Sequence, residues 1–287
     1  QAFSQSNWTL PAFSSMLTGS YPIKHGVYNP DENDSTLPEY YATIPELLLK
    51  NGYRTFGYSS HSRFSTAYGH SRGFERLIYR KRNNFDYHPQ IISDTIANLE
   101  VHKKDDNFIF IHFFDTHAPY YPFNYLQNSF LSNQRNYNAY ELSKKFGVEN
   151  YEEYLTDLGN SKLKEVDIAL DQLFSYFKKQ KWFDDAHFIL TADHGLPYRK
   201  QNMDLLAHAS VNIPLLVKGP SITQGIESSL IEGSVDLLPS ILSILNMNIP
   251  DNIDGRIWPF IGGKARNQAL TEALYKEKYN LAIRTQK

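Results

Sequence analysis

His187-Phe188-Ile189-Leu190-Thr191-Ala192-Asp193-His194-Gly195 is an apolar run that ends by placing a carboxylate and an imidazole side by side. The glycine then lets the chain turn sharply. The apolar part is short enough for a buried strand. Carboxylate beside imidazole suits a divalent cation, although a simple turn next to a surface histidine has the same spelling. Similar runs at residues 55–59, 108–114 and 213–217 read as three more buried parallel strands. Helical patterns lie between them. Residues 44–50 precede the stop signal Asn51-Gly52, residues 91–101 precede the second strand, and Asn246 closes 235–245. Leu163, Val166, Leu170, Leu173, Phe174 and Phe177 recur at helical spacing before the third strand. Strands alternating with helices predict an α/β fold, a three-layer sandwich with a mostly parallel central sheet. Ligands bind such sheets at the carboxyl ends of the strands. There the sequence places His61 and Arg63 after the first strand, Asp115 and His117 after the second, and Asp193 and His194 after the third.

Residues 124–160 are polar, aromatic and weakly periodic, and read as a partly helical excursion over that same edge. Residues 268–287 read as strand, turn, strand. This divides the chain into a catalytic α/β domain at 1–265 and the start of an antiparallel subdomain at 266–287. With 287 residues, 41% hydrophobic and 21% charged, the chain can bury a full core. A net charge of -2 gives no reason to expect nucleic acid. The absence of cysteine excludes disulfides, thiolate metal sites and cysteine nucleophiles. No apolar run approaches the roughly 20 residues that span a bilayer. No signal peptide opens the chain. Gln1-Ala2-Phe3 reads as a trimmed start, so the compartment is left open.

Trp8-Thr9-Leu10-Pro11-Ala12-Phe13-Ser14-Ser15-Met16-Leu17-Thr18-Gly19 is the second decisive stretch. Pro11 fits the first turn of a helix, which puts Thr9 at its N-terminus. Free amides and the helix dipole favour an anion there. The Thr9 hydroxyl would meet a bound phosphate or sulfate head-on; a plain helix cap would use the same residue.

Together the two stretches resemble the sulfatase branch of the alkaline phosphatase superfamily. Thr9, Pro11, Leu17, Thr18 and Gly19 fall in register with its signature, and Tyr21-Pro22 and His25-Gly26-Val27 continue it. The segment from Thr43 to Leu48, Gly52-Tyr53-Arg54-Thr55, and Asp115-Thr116-His117-Ala118-Pro119-Tyr120 resemble later landmarks. So do Ile213-Pro214-Leu215-Leu216-Val217, Val235-Asp236-Leu237-Leu238-Pro239-Ser240 and Asp254-Gly255-Arg256, which carry the likeness over nearly the whole chain. The resemblance implies one or two divalent metal ions (Ca, Mn, Zn or Mg) held by Thr9, Asp193 and His194. It also implies a nucleophilic Thr9 and a His117 that assists the leaving group. His208, His61 and Arg63 are the candidate substrate contacts, for which a solvated loop is an equal reading.

Three departures direct the chemistry. Sulfatases convert the signature Cys or Ser to formylglycine, which Thr9 cannot become, and the signature Arg is Phe13. The Gly-Lys-Trp-His segment of sulfatases is replaced by Tyr58-Ser59-Ser60-His61, which removes a lysine. Within the superfamily an unmodified threonine resembles the phosphoryl transferases and phosphodiesterases. The expectation is therefore a metal-dependent hydrolase or transferase of phosphate esters and diesters, on a small-molecule, lipid or glycan substrate. A sulfatase, a phosphonate monoester hydrolase and an inactive binding module are the rivals. In the superfamily two metal-binding carboxylates lie on a strand well before the nucleophile. Only eight residues precede Thr9 here, so part of the metal site is expected to be missing. His25 and His112 are expected to be structural, His112 as a satisfied core residue.

Overall fold

The computed structural model describes residues 1–28, 36–61, 64–79, 88–117, 151–195, 206–225, 231–275 and 278–285. In its first half are β1 (Ala2–Phe3), α1 (Thr9–Thr18), α2 (Pro22–His25), α3 (Ile44–Lys50), β2 (Arg54–Ser59), β3 (Arg76–Tyr79), α4 (His88–Val101) and β4 (Asn107–His112). The second half holds α5 (Tyr151–Gln180), β5 (Phe188–Thr191), α6 (His208–Val211), β6 (Asn212–Ile213), β7 (Leu215–Lys218), β8 (Ile231–Glu232), α7 (Leu237–Ile244), β9 (Gln268–Tyr275) and β10 (Lys278–Thr285).

The α/β expectation holds. Strands β3, β2 and β4 form a parallel sheet, with Thr55 opposite Phe108 and Ser59 opposite His112. Strand β1 lies between β8, to which it is parallel, and β6, to which it is antiparallel. One expectation is corrected. The run 213–217 is not a single parallel strand. Pro214 has no amide proton to give a ladder, and the run splits there into β6 and β7. Strand β7 then pairs antiparallel with β5, Leu190 opposite Leu216. The 268–287 reading gives the hairpin β9–β10, Leu281 opposite Glu272. Among the described residues, no helix is long and apolar enough to cross a membrane.

All ten residues of α1 are buried. Phe13, Met16 and Leu17 enter one core with Ile44, Leu48, Phe64, Leu238 and Trp258. The polar residues on α1 are satisfied locally. The hydroxyls of Ser14 and Thr18 donate to the carbonyls of Leu10 and Ser14, at 3.1 and 2.6 Å. Two buried histidines reach the adjacent serines, His70 to Ser14 at 2.9 Å and His25 to Ser15 at 3.1 Å. Burial, with His70 nearby, lowers His25 to about 3, so it sits neutral as the structural residue expected. Gly19 ends the helix at φ 68, and its carbonyl accepts from the amides of Asp254 and Gly255. Helix α3 keeps its expected bounds because Thr43 and Glu46 form a capping box.

The N-terminus is the hub of the remaining packing. Gln5 donates through Nε2 to the carbonyls of Phe3 and Leu270, and its Oε1 accepts from the amides of Ser234 and Val235. The Glu272 amide donates to the Gln5 carbonyl, and the Thr271 hydroxyl to the Ser4 carbonyl. Close by, buried Arg266 pairs with Asp236 and Glu232. Burial pushes Glu232 up to about 6 despite that arginine.

Gly255 approaches α7 so closely that a Cβ there would lie 1.9 Å from the Val235 carbonyl oxygen, whereas Gly26, at φ +73, has nothing within 4 Å. Gly255→Ala is therefore expected to cost about 3 kcal/mol or more. Gly26→Ala, with backbone strain alone, costs about 1–2 kcal/mol. Urea unfolding of both variants checks this ranking, and equal losses would refute it.

Candidate active site

Thr9 is the first residue of α1, and the capping position belongs to Trp8, whose extended backbone carries no side-chain capping bond. The plain helix-cap alternative is thus set aside: the Thr9 hydroxyl is not spent on its own helix. It lies 3.4 Å from His194 Nε2 and favours the charged form of the neighbouring Asp193 carboxylate. Thr9 and Asp193, 184 positions apart in sequence, meet because α1 begins and β5 ends at this edge. Thr9, Asp193 and His194, the three residues expected to converge, are together.

Gly195 fixes the turn after β5. Its amide donates to the Ser210 carbonyl at 2.9 Å, and a Cβ would lie 2.1 Å from the Ala209 carbonyl oxygen. Only glycine lets α6 approach that far. The turn also orients His194. Its Nδ1 is 2.8 Å from the Gly195 carbonyl, an acceptor, so Nδ1 carries the proton. In the neutral ring Nε2 is then a lone pair, 3.5 Å from Asp193 Oδ2. Burial pushes the Asp193 carboxyl upward. The neighbouring imidazoles of His194 and His112, the Thr9 hydroxyl and the His194 amide outweigh that burial and leave it below the ordinary carboxylate range.

An ionised carboxylate, an imidazole lone pair and a hydroxyl oxygen thus face one another, a donor set that fits a divalent cation. The imidazole N–H held by a carbonyl is the usual orientation of a metal-binding histidine. Among the described residues, no group of three His, Cys, Asp or Glu side chains could hold a metal by itself.

The other predicted residues fall into three groups. His61 and His117 come together on Phe114, with ring centroids 4.0 and 4.4 Å from the phenyl. His208 is exposed on α6, its ring edge-on to Phe3 at 5.4 Å. It adjoins the Asp193–Gly195 turn through the helix that Gly195 touches. Arg63 lies outside the described residues, as does most of the 124–160 excursion; its last ten residues are the first turns of α5.

His112 corrects the sequence reading. It is half-buried, and it interacts electrostatically with Asp193, His194, Asp115 and His117, so it belongs to the site as well as the core. Its Nδ1 is 3.0 Å from Ser59 Oγ, and Phe13 packs edge-on against it at 4.8 Å. The missed signal was its place as the last residue of β4, at the carboxyl edge. Desolvation lowers its pKa to about 4, with Asp193 acting in the opposite direction.

Residues 1–247 match the family model described as Sulfatase. Curated relatives include the extracellular sulfatase SULF-1 homolog of Drosophila melanogaster, 25% identical over 94% of this chain and 29% of the relative. The ulvan-active sulfatase of Formosa agariphila is 25% identical over 85% of this chain and 54% of its own length. The human N-acetylglucosamine-6-sulfatase is 23% identical over 83% and 53%. The chain therefore spans about half the length, or less, of these relatives. Among solved structures, the phosphonate monoester hydrolase of Silicibacter pomeroyi superposes with a TM-score of 0.72 at 16% identity, covering 95% of this chain and 71% of that one. A Bacteroides thetaiotaomicron structure from work on glycosaminoglycan metabolism gives 0.77 at 17%, covering 99% and 74%. At such identities these two show the fold.

The folded protein takes a proton on His112 only near pH 4, while the unfolded chain takes it near 6.5. Stability from the neutral ring is complete above pH 6.5 and is lost as pH falls toward 4. The loss across that window is up to about 3 kcal/mol. His112→Gln, which can still bond Ser59, should remove this share of the loss and leave the share due to His25. Urea titrations at pH 7 and 4.5 check this, and parallel changes in both proteins would count against it.

Proposed function

Because the chain belongs to the sulfatase family, we propose that it is the catalytic part of an ester hydrolase that works on phosphate esters, diesters foremost, through Thr9. One observation carries the reading: the Thr9 hydroxyl, buried at the head of α1, faces His194 Nε2 at 3.4 Å beside an Asp193 carboxylate held below its ordinary range. Thr9, Asp193 and His194 would hold a divalent cation. Such an ion supplies Lewis acidity, lowering the pKa of a bound hydroxyl and neutralising charge on the ester oxygens.

The residues of the chain divide the work as follows. The Thr9 proton passes to Asp193 as Oγ1 bonds to phosphorus and the bond to the leaving oxygen breaks. His117 gives that oxygen a proton. Water, or an acceptor alcohol, then attacks the phospho-threonine. Its proton goes to His117, the Oγ1–phosphorus bond breaks, and Asp193 returns the proton to Thr9. The amides at the start of α1 favour the anionic group throughout.

The preference for phosphate rests on Thr9 and Phe13. Threonine cannot provide the hydrated aldehyde that expels sulfate. Phe13 brings a phenyl ring, buried against His112, Phe64 and Phe110, where the signature calls for a cation. Fewer cations suit a diester monoanion better than a monoester dianion. The second reading, a sulfate ester on a glycan, is favoured by the names of the relatives, which include an ulvan-active sulfatase and N-acetylglucosamine-6-sulfatase.

Thr9→Ala should abolish turnover, by about 10⁴-fold or more. The fold should survive, because this hydroxyl makes no helix-capping bond. Turnover close to wild type in a folded Thr9→Ala protein would refute covalent catalysis. With metal supplied, nitrophenyl phosphate mono- and diesters should be cleaved faster than nitrophenyl sulfate at the same pH. A sulfate rate above both phosphates would establish the second reading instead.

A further inference from the structure

Phe114 stands between two of the residues assigned roles above. His61 stacks on its ring at 4.0 Å and 19°, and His117 at 4.4 Å and 21°. Two rings so near and so parallel to one phenyl must take its opposite faces, because on one face they would overlap. His61 follows β2 and His117 follows β4, so the phenyl is a spacer between the ends of two neighbouring strands. The spacer itself is fixed. The Phe114 amide donates to Ser60 Oγ at 3.0 Å, and its carbonyl accepts from the His117 amide at 3.0 Å. His61 is held too, its amide donating to Ser59 Oγ at 3.1 Å.

We infer that Phe114 is a positioning residue that sets the two imidazoles roughly 8 Å apart with parallel planes. This rests on the proposed function. At that spacing the histidines cannot serve the same atom, so they divide the ester between them. His117 addresses the leaving oxygen, and His61 addresses a non-bridging oxygen or the group beyond it. Sequence spacing alone gives no such division, because a shorter side chain at 114 would let the two rings collapse together. An imidazole also gains from the phenyl face when it is cationic, as His117 must be before it protonates the leaving oxygen.

The role separates from mere packing by its dependence on the leaving group. An alkyl oxygen needs the His117 proton to depart, whereas nitrophenolate does not. In Phe114→Leu, kcat/KM on an alkyl phosphate ester, which reads the steps through departure of the leaving group and not the later hydrolysis that both esters share, should fall ~10²-fold, the cost of misplacing an acid by about 1 Å. On the nitrophenyl ester kcat/KM should fall by less than about fivefold. Phe114→Tyr, which keeps the π-face, should restore the alkyl rate. Proton NMR of the full chain tests the stack without turnover. Imidazole signals, assigned through His61→Asn and His117→Asn, should lie upfield from the ring current, and both should move downfield in Phe114→Leu. Should Phe114→Leu lose its near-UV circular dichroism, Phe114→Met carries the same readouts. Equal losses on the two esters, or an imidazole signal unmoved when the phenyl is removed, would overturn the inference. Thr9→Ala keeps the two readings apart. If it is inactive while Phe114→Leu behaves as wild type, the stack alone is wrong. If it is active, the nucleophile is wrong and the NMR result on the stack stands by itself.

Discussion

Helix α1 is enclosed on every side, and that enclosure is the constraint on which the rest of the molecule depends. A helix with Ser14, Ser15 and Thr18 in its interior can be buried only if each hydroxyl finds a partner. Two do so by bonding back to their own helix, and His70 and His25 reach across to the serines. The apolar residues Phe13, Met16 and Leu17 fill the remaining sides. With its flanks so fixed, α1 can present the hydroxyl of Thr9 at its head without that residue having to stabilise the helix. The nucleophile position is rigid because of what lies behind it.

The edge that Thr9 faces is electrostatically mixed. Asp193 is driven toward the charged form, while burial drives His112 toward the neutral one. Groups pushed in opposite directions within one site are the arrangement from which acid and base roles arise. The phenyl ring of Phe13 belongs to the same balance. A cation at that position would lie against His112 and alter both groups, so the substitution from the family signature is matched by its surroundings.

Much of this was legible in the sequence, and what was not has definable causes. Helix α3 kept its expected bounds because its start and stop signals are local: a capping box at Thr43 and a glycine at 52 with φ +88. Asp193 and His194 were placed by the rule for carboxyl ends of strands, and their meeting with Thr9 by the resemblance to the family. The split at Pro214 was also a local signal, the missing amide proton, but it was outvoted by the apolar composition of 213–217. His112 was misjudged for a different reason. Alternation along a strand says which side a residue faces, and it does not say that the last residue of the strand has reached the site. No sequence pattern announces the His61–Phe114–His117 stack, because it depends on the register between β2 and β4.

The hub formed by the first few residues has a consequence for how the chain must assemble. Gln5 closes its bonds with residues as far along as Leu270, a separation of 265 positions. Contacts of such long range carry a large loop-closure cost and slow folding. On a ribosome adding about 5–20 residues per second, the segment around Gln5 waits roughly 13–50 s for those partners to be made. For most of that interval β1 has neither of its neighbouring strands, β6 and β8, and the apolar flank of α1 lacks much of its cover. A chaperone that binds short apolar segments would find its target in β1 and α1 rather than in the strands that later cover them.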